Sequence, residues 1–378
     1  MPRRDRHPAR CRRAGTADPS DAHALPGIGT TVMAAGGPLV VIGDALLDID
    51  LDGRADRCSA GSAAPVVDVA HRTFRPGGAG LAARLAAADG AEVVLIAGFA
   101  ADEAGARLRG LLDRHVRVVA LPLRGATVCK QRVRARGRGP PPTGPGGAGP
   151  AGRPGLPTRR DSGAGRGGAD PLPEEAVAVL AAARAVLVSD HGGAAAAHPQ
   201  IRKVLRARAE HIPIVWDPSP RGPVPVPGAA LVTPDHAAAL TLLSGRLDDG
   251  PDLWKLAKGW AVDAIAVTLG TEGALLCLRA SGKRLRIPLA SVERVPGGGD
   301  ACGAGDSFAV AAAVRLAEGR GPESAVRRAV LAAAEFVGSG GAAAYSERES
   351  VAVREENPCV PDDHLEVRKP GATSMFPW

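Results

Sequence analysis

Gly303, Ala304, Gly305 and Asp306 stand directly in front of an alanine-rich stretch of helical composition. Glycines in such a turn let bare backbone approach a ligand closely. A helix start leaves N–H groups unpaired and carries the positive end of the helix dipole. Both features favour an anion, whereas Asp306 repels one. Phosphoryl transfer reconciles the two. Amides at a helix start stabilise the negative charge spread over a phosphoryl group. A carboxylate in the same turn accepts the proton of the attacking hydroxyl. The same residues also read as a capped helix with Asp306 near its N-cap, and on their own they do not separate these alternatives.

Such a turn needs a scaffold, and the pattern supplies one from Pro38 onward. PLVVIGD is a short, β-branched, buried type of strand. Val66–Val69 and Arg72–Phe74 read as short strands of a small sheet, Gly80–Asp89 as a helix and Glu92–Gly98 as a strand. A helix follows at Asp102–Arg114, then strands at Arg117–Leu121 and Ala126–Arg136. Further on, helices at Pro173–Ala183, His198–Ala209, Asp235–Leu243 and Leu253–Trp260 alternate with strands at Ala185–Ser189, Pro213–Asp217, Ala230–Thr233 and Ala264–Thr268. Gly273–Arg279 and Arg284–Pro288 look paired, and helices Asp306–Glu318 and Glu323–Gly338 close the fold. This alternation predicts a mostly parallel sheet covered by helices on both faces, with ligands at the carboxyl ends of its strands.

Composition narrows the function. Aromatic residues make up 3% of the 378 residues, so the core must be Ala, Val and Leu. The six cysteines (Cys11, Cys58, Cys129, Cys277, Cys302 and Cys359) include no Cys-x-x-Cys pair. Neither a zinc site nor a disulfide framework is expected, and the setting reads as reduced and cytoplasmic. The net charge of +7 is concentrated: residues 1–13 carry +5 and residues 131–170 carry +6, leaving the remainder at −4. With no aromatics interleaved in those basic segments, nucleic acid is not an expected partner. No apolar run is long enough for a membrane span, and no apolar region follows the arginine-rich start as in a signal peptide.

Residues 1–38 read as a disordered extension, with the functional protein starting near Met33. Residues 137–170 read as a Pro/Gly-rich low-complexity insertion whose composition looks like a GC-rich gene in a shifted frame. The globular part spans 39–344, and 345–378 reads as an irregular tail.

GGGDACGAGDSFAVAAAV (297–314) resembles the C-terminal signature of the PfkB, or ribokinase-like, sugar kinases. The resemblance implies a ribokinase-like α/β fold with a small β lid, placed at about 48–75 and 117–136. It makes Asp306 the catalytic base, with Gly303, Ala304 and Gly305 as the anion hole. Asp300 matches a position that helps hold a monovalent cation such as potassium. Cys302 replaces a common threonine and reads as a small filler, since nothing marks it as a thiolate. VTLGTEGALL (267–276) resembles the nucleotide-binding strand and turn, which places Thr268, Gly270 and Gly273 along ATP, although such a turn alone is weak evidence.

VVIGDALLDIDLDG (40–53) resembles the first strand and sugar site, with Asp44 and Asp48 as substrate carboxylates or, without the resemblance, solvated strand-end acids. RPGGAGLAARLA (75–86) resembles the Gly-Gly motif, placing Gly77 and Gly78 against the sugar or simply in a tight turn. CKQRVRARG, VLVSDHGG, VWDPSPRG and LVTPD resemble segments of the heptose-phosphate kinase branch. By that resemblance Lys130 and Arg132 meet a sugar phosphate, Asp190 the substrate and Asp235 the nucleotide; Lys130 and Arg132 also read as edge-strand charges. The implied reaction is ATP- and magnesium-dependent phosphorylation of heptose 7-phosphate at its anomeric hydroxyl, in a homodimer paired through the lid.

Three positions depart from the pattern: Leu81 stands for an asparagine, Gly193 for a lysine, and Ala238 for a glutamate that organises magnesium waters. They motivate two rival readings, a kinase for another sugar or nucleoside and a non-catalytic sugar- or nucleotide-binding paralogue. A dinucleotide-dependent dehydrogenase is disfavoured because no strand is followed by G-x-G-x-x-G with an acidic residue at the right distance. The nucleotidyltransferase half often fused to heptose-phosphate kinases is not expected in this chain.

Overall fold

The computed structural model describes residues 36–59, 65–136, 157–160, 171–243, 252–289 and 300–350. The expected extension before residue 36, the start near Met33, most of 137–170 and the tail beyond 350 lie outside these residues.

The chain runs β1 (Leu39–Gly43), β2 (Ala45–Cys58), β3 (Pro65–Gly78), α1 (Ala79–Ala88), β4 (Val93–Phe99), α2 (Glu103–Asp113), β5 (Arg117–Pro122), β6 (Cys129–Arg136) and β7 (Pro157–Arg160). It continues through α3 (Glu174–Ala182), β8 (Ala185–Ser189), α4 (Pro199–Arg208), β9 (Ile214–Asp217), β10 (Leu231–Val232), α5 (His236–Leu242), α6 (Asp252–Trp260) and β11 (Ala264–Thr268). The hairpin β12 (Ala274–Leu278) and β13 (Arg284–Ile287) precedes α7 (Ala304–Ala317), α8 (Pro322–Gly338) and β14 (Glu347–Ser350).

Nine strands form one sheet in the order β13-β12-β11-β10-β9-β8-β1-β4-β5. From β11 to β5 every neighbour is parallel, and β12 and β13 add an antiparallel edge. Alternation along β1 divides the core. Leu39 and Val41 pack with α1, α2, α7 and α8, while Val40 and Ile42 pack with α3, α4, α5 and α6. Both faces of a parallel sheet are therefore covered, which explains the continuous apolar strands. α7 buries Phe308–Ala313 without a break, and its alanines let the helix lie close to the sheet.

A second sheet, β14-β3-β2-β6-β7, forms the lid. The two short strands read at Val66–Val69 and Arg72–Phe74 are one strand, β3, which pairs antiparallel with β2 back to Ala45↔Gly78. Two corrections to the sequence reading follow. β5 is not a lid strand; it pairs parallel with β4 on the large sheet, because Val119 and Leu121 are drawn into the core. Residues after 345 do not begin as an irregular tail, since β14 pairs with β3 through Glu347↔Phe74 to Ser350↔His71. Glu349 is bonded to Arg107, and Glu347 lies 3.5 Å from Arg114, so charge as well as backbone holds this strand to α2.

Candidate active site

Because β1, β8, β9, β10 and β11 are parallel, their carboxyl ends share one rim. Asp44, Asp190, Asp217, Asp235 and Thr268 sit at or just beyond those ends. α7 starts beside them. Gly303 is its N-cap at φ +94°, where a Cβ would lie 2.6 Å from Leu81 Cδ2, so both backbone and space demand glycine. Ala304 and Gly305 form the first turn. Among the described residues nothing lies within 4 Å of where a Gly305 Cβ would be, which leaves open space at the helix start.

Asp306 is 11% exposed, and its Oδ1 is buried without a hydrogen-bond partner. Burial pushes its carboxyl up to about 6, assisted by Asp48 and opposed by His191 and Lys130. Asp48, on β2, is buried as well; its Oδ2 lies 3.6 Å from Arg75 Nε and 3.9 Å from Cys302 Sγ, while Oδ1 has no hydrogen-bond partner. A Cβ at Gly77 would come within 3.0–3.2 Å of all three carboxylate atoms of Asp48, so this glycine makes room for the acid. Lys130, opposite Asp48 in the β2–β6 register, points Nζ at Cys302 Sγ, 3.8 Å away.

Asp44 has a task the sequence did not disclose. Its Oδ2 accepts the amides of Gly193 (2.8 Å) and His191 (3.2 Å), shaping the turn after β8. Gly78 lies against that turn: its Cβ would meet His191 Cδ2 at 2.8 Å. Asp190 accepts from the Gly192 amide at 2.8 Å and keeps Oδ2 unpartnered; burial pushes its carboxyl up to about 6.

The expected nucleotide residues form a second group along the rim. Asp235 caps α5 by accepting from Ala238 N at 2.7 Å and bridges to Thr268. Gly270 and Gly273 turn the β11–β12 hairpin. Asp217 joins the two groups: it is held well above its ordinary range, first by burial and then by Asp306, Asp235 and Asp190.

Asp300 lies in a network of guanidiniums. Its carboxylate faces Arg134 at 3.2 Å, Arg132 at 3.4 Å and Arg75 at 3.8 Å. Burial opposes its ionisation, but the Cys302 amide and these guanidiniums hold the carboxyl below its usual value. Among the described residues three guanidiniums already face this carboxylate, which disfavours a monovalent metal ion at the same oxygens. Asp50 completes this network: Arg75 Nη1 is bonded to Asp50 Oδ2, and Arg132 and Arg134 each lie 3.6 Å from the carboxylate. The sequence reading gave no role to Asp50, Arg75, Arg134, His191 or Asp217. Only Asp50 and Arg134 carry a signal, the alternation of acids along DALLDIDLD and of bases along KQRVRAR that marks one-sided faces of paired strands; Arg75, His191 and Asp217 lie outside these segments.

Among the described residues no group of three or more His, Cys, Asp or Glu is placed to hold a metal, and no helix is long and apolar enough to cross a membrane.

Parallel sheet, lid and helix start with a buried acid define the class: a ribokinase-like α/β protein of the carbohydrate kinase kind. Residues 169–349 match the pfkB family carbohydrate kinases. The chain is 45% identical over 315 residues to the Bifunctional protein HldE of Streptomyces coelicolor, covering 81% of this chain and 61% of that protein. It is 32% identical over 331 residues to the Bifunctional protein HldE of Pseudomonas aeruginosa, covering 82% and 62%. The chain thus spans about three fifths of the length of these curated relatives. Among solved structures, Arabidopsis thaliana ribokinase complexed with ribose and ATP is similar at a TM-score of 0.59 and 18% identity, covering 80% of this chain and 92% of that one. Escherichia coli phosphofructokinase-2 in its tetrameric inhibited form is similar at 0.56 and 19%, covering 81% and 95%. At these identities the two structures speak for the fold alone.

Proposed function

We propose that this protein transfers the γ-phosphoryl group of ATP to a sugar hydroxyl, and that its acceptor is heptose 7-phosphate, phosphorylated at the anomeric hydroxyl. The observation that carries the reading is the unpartnered, buried Oδ1 of Asp306 beside the open helix start at Gly305. A carboxyl near 6 is mostly ionised at neutral pH yet remains basic enough to take a proton. The acceptor hydroxyl gives its proton to Asp306, its oxygen forms the new P–O bond, and ADP leaves. Amides of Gly303 and Gly305 face the charge on the phosphoryl oxygens, whereas the Ala304 amide, expected beside them, is bonded to Ala301 O at 3.1 Å. Asp48 orients the sugar, and Lys130 and Arg132 on the lid meet the phosphate it already carries. Asp235, Thr268, Gly270 and Gly273 line the nucleotide.

Magnesium belongs to the reading as a passenger on the nucleotide phosphates, keeping its own waters, because the described residues build no cage for it. A reduced, cytoplasmic setting fits the free thiols of Cys129, Cys277 and Cys302. A homodimer paired through the lid belongs to the same reading.

The test is ADP release from the purified protein with magnesium-ATP, with and without heptose 7-phosphate, beside Asp306→Asn. Heptose-dependent turnover that disappears in the variant supports the reading. Turnover on another sugar points to a different kinase of this fold, and binding without turnover to a non-catalytic paralogue.

A further inference from the structure

The turn after β8 brings an imidazole to Asp306. His191 Nε2 lies 3.9 Å from Asp306 Oδ1, the oxygen that has no hydrogen-bond partner, and 3.1 Å from Ser189 Oγ. We propose that His191 is a positioning residue whose imidazole, held 3.9 Å from Asp306 Oδ1, electrostatically favours the carboxylate form of Asp306. The proposal rests on the reading of Asp306 as base.

The ring has little freedom. Its backbone is tied to Asp44 through the amides of His191 and Gly193, and its Cδ2 edge rests where Gly78 would otherwise carry a Cβ. The Ser189 hydroxyl holds the Nε2 edge. Gly193 cannot supply a cation of its own, since even a Cβ there would stand 2.2 Å from Asp44 Oδ1.

The surrounding charges explain why a cation is needed. Acids reach this corner from several elements: Asp48 from β2, Asp44 before it, Asp190 from the turn itself, and Asp217 from β9. Against them, among the described residues, stand Lys130 of β6 and His191 as cations acting on Asp306. Burial drives the Asp306 proton on, and His191 is the strongest of the influences that drive it off. The contact is longer than a hydrogen bond, so its effect is electrostatic and does not require the imidazole to touch the acceptor sugar.

Two measurements test this. The first follows the His191 ring by NMR across pH in the full chain and in Asp306→Asn, without substrate. The expected result is a fall in the His191 midpoint by about one pH unit in the variant, since the ring loses an anion at 3.9 Å. The second is the pH profile of kcat/KM for the sugar. In His191→Ala the acid limb moves up by about one unit, and in His191→Lys it returns toward that of the parent. A ring midpoint unmoved by Asp306→Asn, or an acid limb unmoved by His191→Ala, overturns the proposal. The ring titration needs no turnover. A shifted midpoint in a protein that releases no ADP keeps the pairing and removes the kinase reading. An unshifted midpoint in an active kinase does the reverse.

Discussion

Replacing Asp306 by asparagine should make this protein more stable while disabling it, and the size of the gain can be worked from the burial of one carboxylate. Asp306 is 11% exposed, and its folded value of about 6 stands above the ordinary 3.8. The folded state therefore holds the proton more tightly than the unfolded chain. Below pH about 4 both states are protonated and the residue costs nothing. As pH rises from about 4 to about 6 the unfolded chain loses the proton first, so stability falls with pH and then levels off. A difference of about two units corresponds to about 3 kcal/mol at neutral pH. Asparagine has nearly the same shape and does not ionise, so it escapes this loss. Urea denaturation of parent and Asp306→Asn should give nearly equal stabilities at pH 4. The variant's advantage should grow across pH 4 to 6 to about 3 kcal/mol at pH 7.5. A difference that is flat with pH, or a variant less stable at pH 7.5, refutes the claim that the fold holds this carboxylate at a cost. The same variant should lose about 10²–10⁴ in turnover as a missing general base.

Three further outcomes are expected. Arg75→Ala should lose about 3–5 kcal/mol in the same denaturation assay, because it takes the guanidinium from buried Asp48 and the bonded partner from buried Asp50, which keeps only the longer contacts to Arg132 and Arg134. Gly303→Ala should cost at least about 1–2 kcal/mol from its positive φ alone, with a further loss from the approach to Leu81, and ADP release should fall about 10²-fold. Turnover should be the same in potassium chloride and tetramethylammonium chloride at equal ionic strength, since guanidiniums already neutralise Asp300; a tenfold drop without potassium would put a cation back beside it.

The large sheet was legible because its strands are short, apolar and β-branched, a pattern that a doubly covered parallel sheet requires. LVVIG (39–43) and AVLVS (185–189) are buried throughout, as their composition announces. β5 misled because exposed Ala120 and Pro122 alternate with buried Val119 and Leu121, which is also how a lid strand would read. β14 was invisible for the opposite reason. ERES carries no apolar residue, and its place comes from backbone pairing with β3 and from arginines on α2 more than 200 residues earlier in the chain. The Gly-Ala-Gly-Asp turn was legible because glycines, acid and helix are contiguous. The charge network around Asp300 was not, because Arg132 reaches it only through the parallel pairing of β6 with β2, 168 residues away in sequence.

The same geometry accounts for the three departures from the kinase pattern. Leu81 is 1% exposed, and its Cδ2 fills the space a Cβ on Gly303 would need, so it supports the floor of the anion hole. Gly193 is the only residue that fits against the Asp44 carboxylate, whose bonds to the turn also seat His191. Ala238 is buried and gives its amide to the Asp235 cap. None of the three leaves an unpartnered polar group behind, so none taxes the fold. What each removes is a polar reach toward ligand, and such losses fall on transition-state binding, about 10²–10³ for a donor aimed at developing charge. Asp306, the open helix start and the cations of the lid do not depend on those side chains. A slow but genuine transferase is therefore the outcome this arrangement favours over an inert binding protein, and the acceptor that also engages Lys130 and Arg132 is the one that should recover most of the lost rate.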